Sequence, residues 1–458
     1  MKYRYFVVLT SLIFVCIYGL NIRPFYTLYA LVFASLVFAF LKHRVVLKAL
    51  KIIKIPLILL VLTSLYALFV DVEYFNSNSY AALFLRIIVE AILPSLFIAY
   101  MARHWNMSLM DVLNSLVLCG VVQFLIALLM LSDFNVKMYL LHELLGMSYD
   151  KLVLGSPIAL YRGFGLSINH LYAFAFVQGI LAVLCLLLLI HSTKMVHKAW
   201  YVFAFVGNLA LIVLNARIGF LPLGVLAAIL PVIIIFRWRM INKKLLLTGV
   251  FFMFVVAPAI VGESENQTGF SKALNRALEG LEDSTNAISS GESTGAYAML
   301  ARHFHFPDDE MIWLFGEGHR LYPGSKYYSD VGYVRFTYFG GVSFSFLAYM
   351  TFAVFSSILL VLSIRGKISM HVSRIEGGIM PWLMVVFVVS LFVAHFKGEI
   401  FLLNDATRLL VFFVMLFVFR FLAEFPRSKS AIRLLPYEGS FVDGSKKLLR
   451  VEVKTEAV

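Results

Sequence analysis

Long apolar segments alternate with short polar connections along the chain. About twelve of these segments are long enough to cross roughly 30 Å of hydrocarbon as helices. They begin near residues 5, 25, 52, 80, 112, 169, 199, 218, 244, 333, 379 and 404. The pattern predicts an all-α polytopic membrane protein, with transmembrane helices in residues 1–261 and again in residues 333–424.

The composition supports this class of protein. Of the 458 residues, 61% are hydrophobic and 14% are charged, which is more apolar surface than a soluble domain can bury. The net charge of +13 could suggest nucleic-acid binding, but most charges lie in short loops between apolar segments, so no nucleic-acid partner is expected. Cys16, Cys119 and Cys185 fall inside apolar runs, which predicts core packing rather than a disulfide framework.

The distribution of Lys and Arg predicts the orientation. Connections on the side of both termini include 42–54, 237–244, 365–374 and the tail from 420, and this side has 25 Lys and Arg residues. The longest connection on the opposite side, 262–332, has only five. Because cytoplasmic loops are enriched in these residues, we expect both termini in the cytoplasm and a cytoplasmic tail over 425–458.

Two segments on the outer side are too long to be simple connections. Residues 132–168 form one, and residues 262–332 are expected to form a large outer loop; loops of this length are usually functional or disordered. Within it, the stretch FSKALNRALEGLED (270–283) places its apolar residues on one helical stripe. This stripe fits a helix in the membrane interface, and equally a helix packed on the loop's own fold.

Arg217 interrupts two apolar runs in LIVLNARIGFLPLG (211–224), and no acidic residue lies within ten positions on either side. Moving Arg into hydrocarbon costs about 2.5 kcal/mol or more. The side chain is therefore expected at an interface, in a water-filled cavity or against an anion.

Other cations also occur where apolar segments emerge on the outer side. Arg binds phosphate oxygens in bidentate fashion, so a cavity shared by these residues would suit an anionic ligand. The alternative is that each side chain separately reaches lipid phosphate. The outer cations are Arg162, Arg217, His303, His305, His319, Arg320, Arg335, Lys397 and Arg408.

Arg86 and Glu90 lie four residues apart in the fourth apolar segment, on one face of a helix. A rise of about 1.5 Å per residue puts Arg86 about 9 Å and Glu90 about 15 Å below the outer end at Tyr80. They form either an ion pair within the helix or the lining of a polar cavity.

Residues 313–341 combine glycines with polar groups. Gly316 and Gly318 allow a tight turn close to a ligand or another backbone. The glycine pair at 340–341 lies inside the following span, where small residues permit close helix contact. Polar groups at the mouth of that span are Tyr327, Tyr328, Asp330 and Arg335.

No metal site is expected. His303 and His305 are two residues apart and would point to different faces of a helix, which makes joint ligation awkward. The acidic run 308–310 follows a proline in an outer loop, and a solvated turn is the favoured interpretation.

Four stretches resemble, in order, segments of the O-antigen (polysaccharide repeat-unit) polymerase family and, more loosely, the O-antigen ligases. They are YRGFGLSINHLYA (161–173), LNARIGFLPLGVL (214–226), LFGEGHR with SDVGYVRFTYFGG (314–341), and AHFKGEIFLLNDATRLLVFF (394–413). The resemblance covers roughly residues 155–420, together with the number of spans and the large outer loop.

The resemblance implies a GT-C-like helical bundle in the bacterial inner membrane, with residues 262–332 as its large periplasmic loop. Such a protein joins undecaprenyl-pyrophosphate-linked oligosaccharide units on the periplasmic face. Both donor and acceptor would be lipid-linked, no metal or other cofactor would be required, and a chain-length regulator protein is a candidate partner. Cations would stabilise the pyrophosphate leaving group, with Arg162, Arg217 and Arg335 first and Arg408 and Lys397 next. Further candidates for binding the substrate are Arg320, Tyr328, Arg86 and Glu90.

The attacking hydroxyl needs a base within hydrogen-bond reach. His319 is the first candidate because it follows the glycine turn, and Asp330 and Glu399 are the second. Two other functions stay open: an O-antigen ligase, which performs the same chemistry with lipid A core as acceptor, and a lipid-linked oligosaccharide flippase or other transporter. No pair of similar halves, which transporters often show, is found in the sequence.

Overall fold

The computed structural model describes residues 2–71, 79–146, 165–167, 172–237, 303, 305–319, 329, 331–368 and 374–424. Regular structure in this part of the chain is entirely helical, with no strand. Most of the outer segments 132–168 and 262–332 lies outside the described residues, as does the apolar segment predicted to begin near 244.

Fifteen α-helices make up the described chain. They are α1 (Lys2–Tyr18), α2 (Thr27–Leu41), α3 (His43–Ile52), α4 (Lys54–Val70), α5 (Tyr80–Ile87), α6 (Leu93–His104), α7 (Leu109–Ser132), α8 (Phe134–Met138), α9 (Tyr172–His191), α10 (Met195–Asn215), α11 (Leu221–Arg237), α12 (Glu310–Phe315), α13 (Gly332–Ile368), α14 (Arg374–Ala394) and α15 (Asp405–Glu424). A π-helical turn, Ile88–Ile92, joins α5 to α6, another, Tyr139–Leu144, follows α8, and a 3₁₀ turn, Arg217–Phe220, precedes α11.

Five helical stretches in the described residues are long and apolar enough to cross a membrane. They are Tyr80–His104, Leu109–Ser132, Tyr172–His191, Met195–Asn215 and Gly332–Arg365. Shorter apolar helices cover Tyr3–Tyr18, Lys54–Val70, Ile218–Leu230 and Met380–Ala394. The predicted class, a helical membrane protein, is confirmed; the number of about twelve spans and the GT-C-like arrangement stay predictions.

The core is centred on α9 and α15. Nearly every side chain of α9 is buried, and the helix packs against α7, α10, α11, α14 and α15. Small residues allow the closest contact, because a Cβ on Gly179 would lie 2.1 Å from the carbonyl oxygen of Gly219. The three cysteines are buried and unbridged, as the sequence predicted.

The stretch 42–54, which the charge pattern treats as a connection, contains a helix. After α2 the chain bends by 100° into α3. Val46 and Ala49 are buried, and the helix contacts α2, α4 and α15. Apolar residues at helical spacing thus attach this basic segment to the bundle.

Candidate functional site

The turn between α14 and α15 is polar and buried. Asn404 caps α15: its Oδ1 accepts a hydrogen bond from the backbone N–H of Thr407 at 3.1 Å, as N-cap side chains do. Its Nδ2 donates to the carbonyl oxygen of Ile400 at 3.0 Å. The polar turn that the sequence places on the outer side therefore folds into the bundle and fixes the backbone around Glu399.

Glu399 is held by side chains from two other helices. The Tyr80 hydroxyl, at the start of α5, donates to Oε1 of Glu399. Arg335, in the first turn of α13, donates from Nη1 to Oε2 at 3.2 Å and from Nε to the carbonyl oxygen of Ser329. The site thus joins one end each of α5 and α13 to the turn before α15, through residues up to 319 positions apart.

Burial changes the acidity of this carboxyl group. The side chain of Glu399 is only 4% exposed, and desolvation raises its pKa from 4.5 to about 8, because a charged form is disfavoured away from water. The Arg335 guanidinium that contacts it is 16% exposed. A carboxyl with a pKa near neutrality can accept and release a proton under physiological conditions.

A second ionic cluster lies beyond the end of α5, the helix that begins at Tyr80. Glu90 lies in the π-helical turn that follows α5 and accepts from Arg86 Nε at 2.6 Å and from Arg408 Nη2 at 2.9 Å. The i, i+4 pair predicted from sequence is therefore confirmed, and Arg408 is a partner that the spacing did not reveal. π-Turns inside α-helices occur frequently at functional sites.

Arg408 makes this second cluster net positive. Its side chain is 3% exposed, and its Nε and Nη1 atoms have no hydrogen-bond partner within the described residues. The guanidinium lies against the backbone of Gly19, where a Cβ would come within 2.1 Å of Nη1. Two buried donors without acceptors are costly, so the group is suited to an anion that arrives from outside the bundle.

The short segment 165–167 is tied to the same region. Gln123 of α7 donates to the carbonyl oxygen of Leu166 at 2.6 Å and accepts from its backbone N–H at 2.7 Å. Ser167 donates to the buried Asp405 at 2.6 Å. The end of the first outer segment is thereby fixed beside the first turn of α15.

The chain before His319 docks onto a break in α13. At Gly340 and Gly341 the backbone leaves helical geometry, which frees carbonyl oxygens of the preceding turn. Those of Tyr338 and Phe339 accept from the backbone N–H groups of Glu317 at 2.7 Å and Gly318 at 2.9 Å. The sequence predicted that the glycine turn would lie close either to a ligand or to another backbone, and the structure shows the contact with another backbone.

Gly341 is required at this contact. Its φ of +67° is unfavourable for other residues, and a Cβ would lie 2.2 Å from the carbonyl oxygen of Leu314. His319, one residue beyond the docked pair, is exposed.

The structure therefore brings together two subsets of the predicted site. Arg335 meets Glu399, and Arg86 and Glu90 meet Arg408. Lys397 is exposed, two residues before Glu399. The 3₁₀ turn begins at Arg217; the side chain of Arg217 and the candidates Arg162, Arg320, Tyr328 and Asp330 lie outside the described residues.

Three buried polar residues in this region were not predicted. Tyr80 and Asp405 lie at the starts of predicted apolar segments, and nothing in the sequence indicated that they would be buried. His395 is enclosed by the rings of Tyr333, Phe336, Tyr349 and Phe401, and burial lowers its pKa to about 3. It is therefore neutral, and its role is to pack in this aromatic cluster.

The fold and the site define a helical membrane protein with buried ionic groups between its helices. No family model matches the chain, and no curated protein matches its sequence.

Proposed function

We propose that this protein is an O-antigen polymerase, a glycosyltransferase that joins undecaprenyl-pyrophosphate-linked oligosaccharide units on the periplasmic face of the inner membrane. The observation that supports this proposal best is the contact between Arg335 and Glu399 at 3.2 Å. It pairs a cation suited to phosphate with a carboxyl group whose pKa lies near 8. The geometry supports Glu399 ahead of His319 as the base.

In the proposed reaction the hydroxyl of one lipid-linked unit attacks the anomeric carbon of the growing chain. Glu399 accepts the hydroxyl proton as the new C–O bond forms. The bond between the anomeric carbon and the pyrophosphate oxygen breaks, and its electron pair leaves with the lipid pyrophosphate. Arg335 is released from Glu399 when that carboxyl is protonated, and it then interacts with the leaving group.

The second cluster supplies the remaining positive charge. Glu90 carries one negative charge and contacts two guanidinium groups, those of Arg86 and Arg408. Arg86, with a side chain that is 39% exposed, can reach an anion at the surface of the bundle, while Arg408 offers two donors from inside. We propose that these two side chains bind pyrophosphate oxygens, and that Arg162, Arg217, Arg320, Lys397 and Tyr328 extend the binding surface.

An O-antigen ligase is the second candidate, because it needs the same leaving group and the same kind of base. The acceptor separates the two: a polymerase uses a second lipid-linked unit, and a ligase uses lipid A core. The ordered resemblance of the four motifs favours the polymerase.

The proposal is tested with the purified protein in liposomes that contain undecaprenyl-pyrophosphate-linked repeat units. We expect products of two or more joined units, and we expect Arg335→Gln to reduce their rate of formation at least 100-fold, the loss typical of a transition-state charge contact. Lys194→Gln, an exposed cation after α9, should leave the rate unchanged. Absence of joined products with the unaltered protein, or product only when lipid A core is supplied, would refute the polymerase.

A further inference from the structure

Helix α3 presents a basic stripe that nothing in the proposed reaction uses. Arg44, Lys48 and Lys51 follow i, i+4, i+7 spacing and so share one helical face. All three are exposed, and within the described residues none of them pairs with a carboxylate. Lys42 and Lys54 flank the helix, and residues 42–70 contain no acidic residue.

The opposite side of α3 is fixed to the bundle. Val46 and Ala49 are buried against helices that include α15. The 100° bend from α2 turns α3 away from the direction of that apolar helix. The bend sets α3 roughly at right angles to α2, which is the orientation of a helix in the plane of a membrane that α2 enters.

Apolar side chains beside the stripe face outward. Leu47 is 55% exposed, and Phe40, Leu41 and Ile55, at the adjoining ends of α2 and α4, are also exposed. Exposure of these apolar side chains to water would be unfavourable, whereas a helix at the boundary of headgroups and acyl chains buries them in lipid. The exposed apolar side chains and the basic stripe of α3 therefore both fit the boundary between lipid headgroups and acyl chains.

We propose that α3 lies on the membrane surface and that Arg44, Lys48 and Lys51 bind the headgroups of anionic phospholipids. Charge complementarity selects this partner: the helix presents cations only, and the cytoplasmic leaflet presents phosphates with net negative charge. The surface is separate from the Glu399 and Glu90 clusters, so the inference is independent of the catalytic proposal.

The test uses the full-length chain with Leu47→Cys labelled by an environment-sensitive fluorophore, in nanodiscs. The native cysteines are buried, so the label reports on α3. Brominated phosphatidylglycerol and brominated phosphatidylcholine are compared as quenchers. We expect both to quench, because Leu47 faces acyl chains, and we expect the anionic lipid to be preferred.

Each cation near the surface contributes roughly a fivefold preference, so Arg44→Gln/Lys48→Gln/Lys51→Gln should lower the preference on the order of 100-fold. The charge-conserving triple Arg44→Lys/Lys48→Arg/Lys51→Arg should retain it, which separates lost charge from misfolding. A control triple, Arg4→Gln/Arg103→Gln/Lys194→Gln, removes the same number of cations from the side of the membrane predicted to carry both termini. It should leave the lipid preference nearly unchanged. Inorganic phosphate at constant ionic strength should not compete.

Four results would overturn the proposal. Equal quenching by the two lipids would remove the headgroup preference, and no quenching by either would place α3 in water. An equal loss of preference in the matched control triple would assign it to general surface charge, and competition by inorganic phosphate would indicate a soluble anion as the ligand.

Discussion

Glu399 is the residue on which the proposed chemistry depends. Its carboxyl is buried, raised in pKa to about 8 and contacted by a tyrosine hydroxyl and a guanidinium. Sequence analysis ranked it behind His319, which follows the glycine turn, and the turn after α14 has no motif that indicates burial. The contact to Arg335 spans 64 residues, and no periodicity within one helix can predict such a pair.

Replacing Glu399 by Gln should remove the proton acceptor while preserving side-chain shape. We expect the transfer rate to fall about 100-fold or more. In the unaltered protein the rate should rise as the pH increases through about 8, because the base form is populated above the pKa. Rates on lipid-linked substrate across this range provide the measurement, with Glu143→Gln, an exposed carboxyl, as the control. A variant that keeps its rate would return the role to His319 or Asp330.

The same carboxyl should affect stability with a defined sign. Because burial raises the pKa of Glu399 from 4.5 to about 8, the folded chain keeps a proton that the unfolded chain loses in this window. Its contribution to the unfolding free energy is fully present below about pH 4.5 and is lost as the pH rises through about 8, with a slope of up to about 1.4 kcal/mol per pH unit. Thermal unfolding between about pH 5 and pH 9 should show a fall that Glu399→Gln reduces. Identical pH dependence in both proteins would contradict the assignment.

Glu90 offers a matched comparison of buried and exposed ion pairs. Glu90→Gln leaves the Arg408 charge buried without compensation, which typically costs about 3–5 kcal/mol. Arg86→Gln removes a partner that is 39% exposed and should cost about 1 kcal/mol or less. Unfolding temperatures of the two variants in detergent give the comparison; equal losses would mean that Arg408 is not buried as described.

At the scale of elements, hydropathy predicted most of the helices. The predicted starts near 5, 25, 52, 80, 112, 169, 218, 333 and 404 lie within about three residues of the first residues of helices α1, α2, α4, α5, α7, α9, α11, α13 and α15, because a span must be continuously apolar. The breaks within them were not predicted. The π-turn around Glu90 and the kink at Gly340–Gly341 depend on groups from other helices, which local composition does not contain.

The docking of residues 314–318 onto the broken α13 can be tested with a single methyl group. Gly341→Ala should displace this segment, since a Cβ would overlap the Leu314 carbonyl oxygen and the backbone angles cost about 1–3 kcal/mol for other residues. We expect faster hydrogen exchange at the amides of Glu317 and Gly318. Gly224→Ala, whose Cβ meets nothing within 4 Å, is the control, and unchanged exchange in Gly341→Ala would refute the docking.

At the scale of the whole molecule, the sequence predicted a helical membrane protein, and the five apolar stretches confirm that class. The orientation of the chain in the membrane was predicted from the Lys and Arg bias. It stays a prediction because the structure contains no membrane that would define the two sides. The clusters around Glu399 and Glu90 could be predicted only in part. Spacing identified Arg86 with Glu90, whereas Tyr80, Arg335 and Arg408 reach their partners through tertiary packing.

The proposed catalysis by side-chain cations predicts that the intact protein needs no metal ion for activity. If Arg335, Arg86 and Arg408 stabilise the pyrophosphate, a chelator should leave the polymerisation rate of the purified protein unchanged. Recovery of a chelator-inhibited rate on addition of Mg²⁺ or Mn²⁺ would contradict the cation mechanism and assign charge stabilisation to a metal.

The lipopolysaccharide ladder of a strain that lacks this gene tests the central claim most directly. If the protein is the proposed polymerase, it is required for long chains and dispensable for attachment of one unit. We therefore predict that the deletion strain retains lipid A core bearing single repeat units and loses every longer band, and that the unaltered gene restores them while the Glu399→Gln gene does not. A strain with no repeat unit on the core would indicate a ligase, and a full ladder would contradict the account.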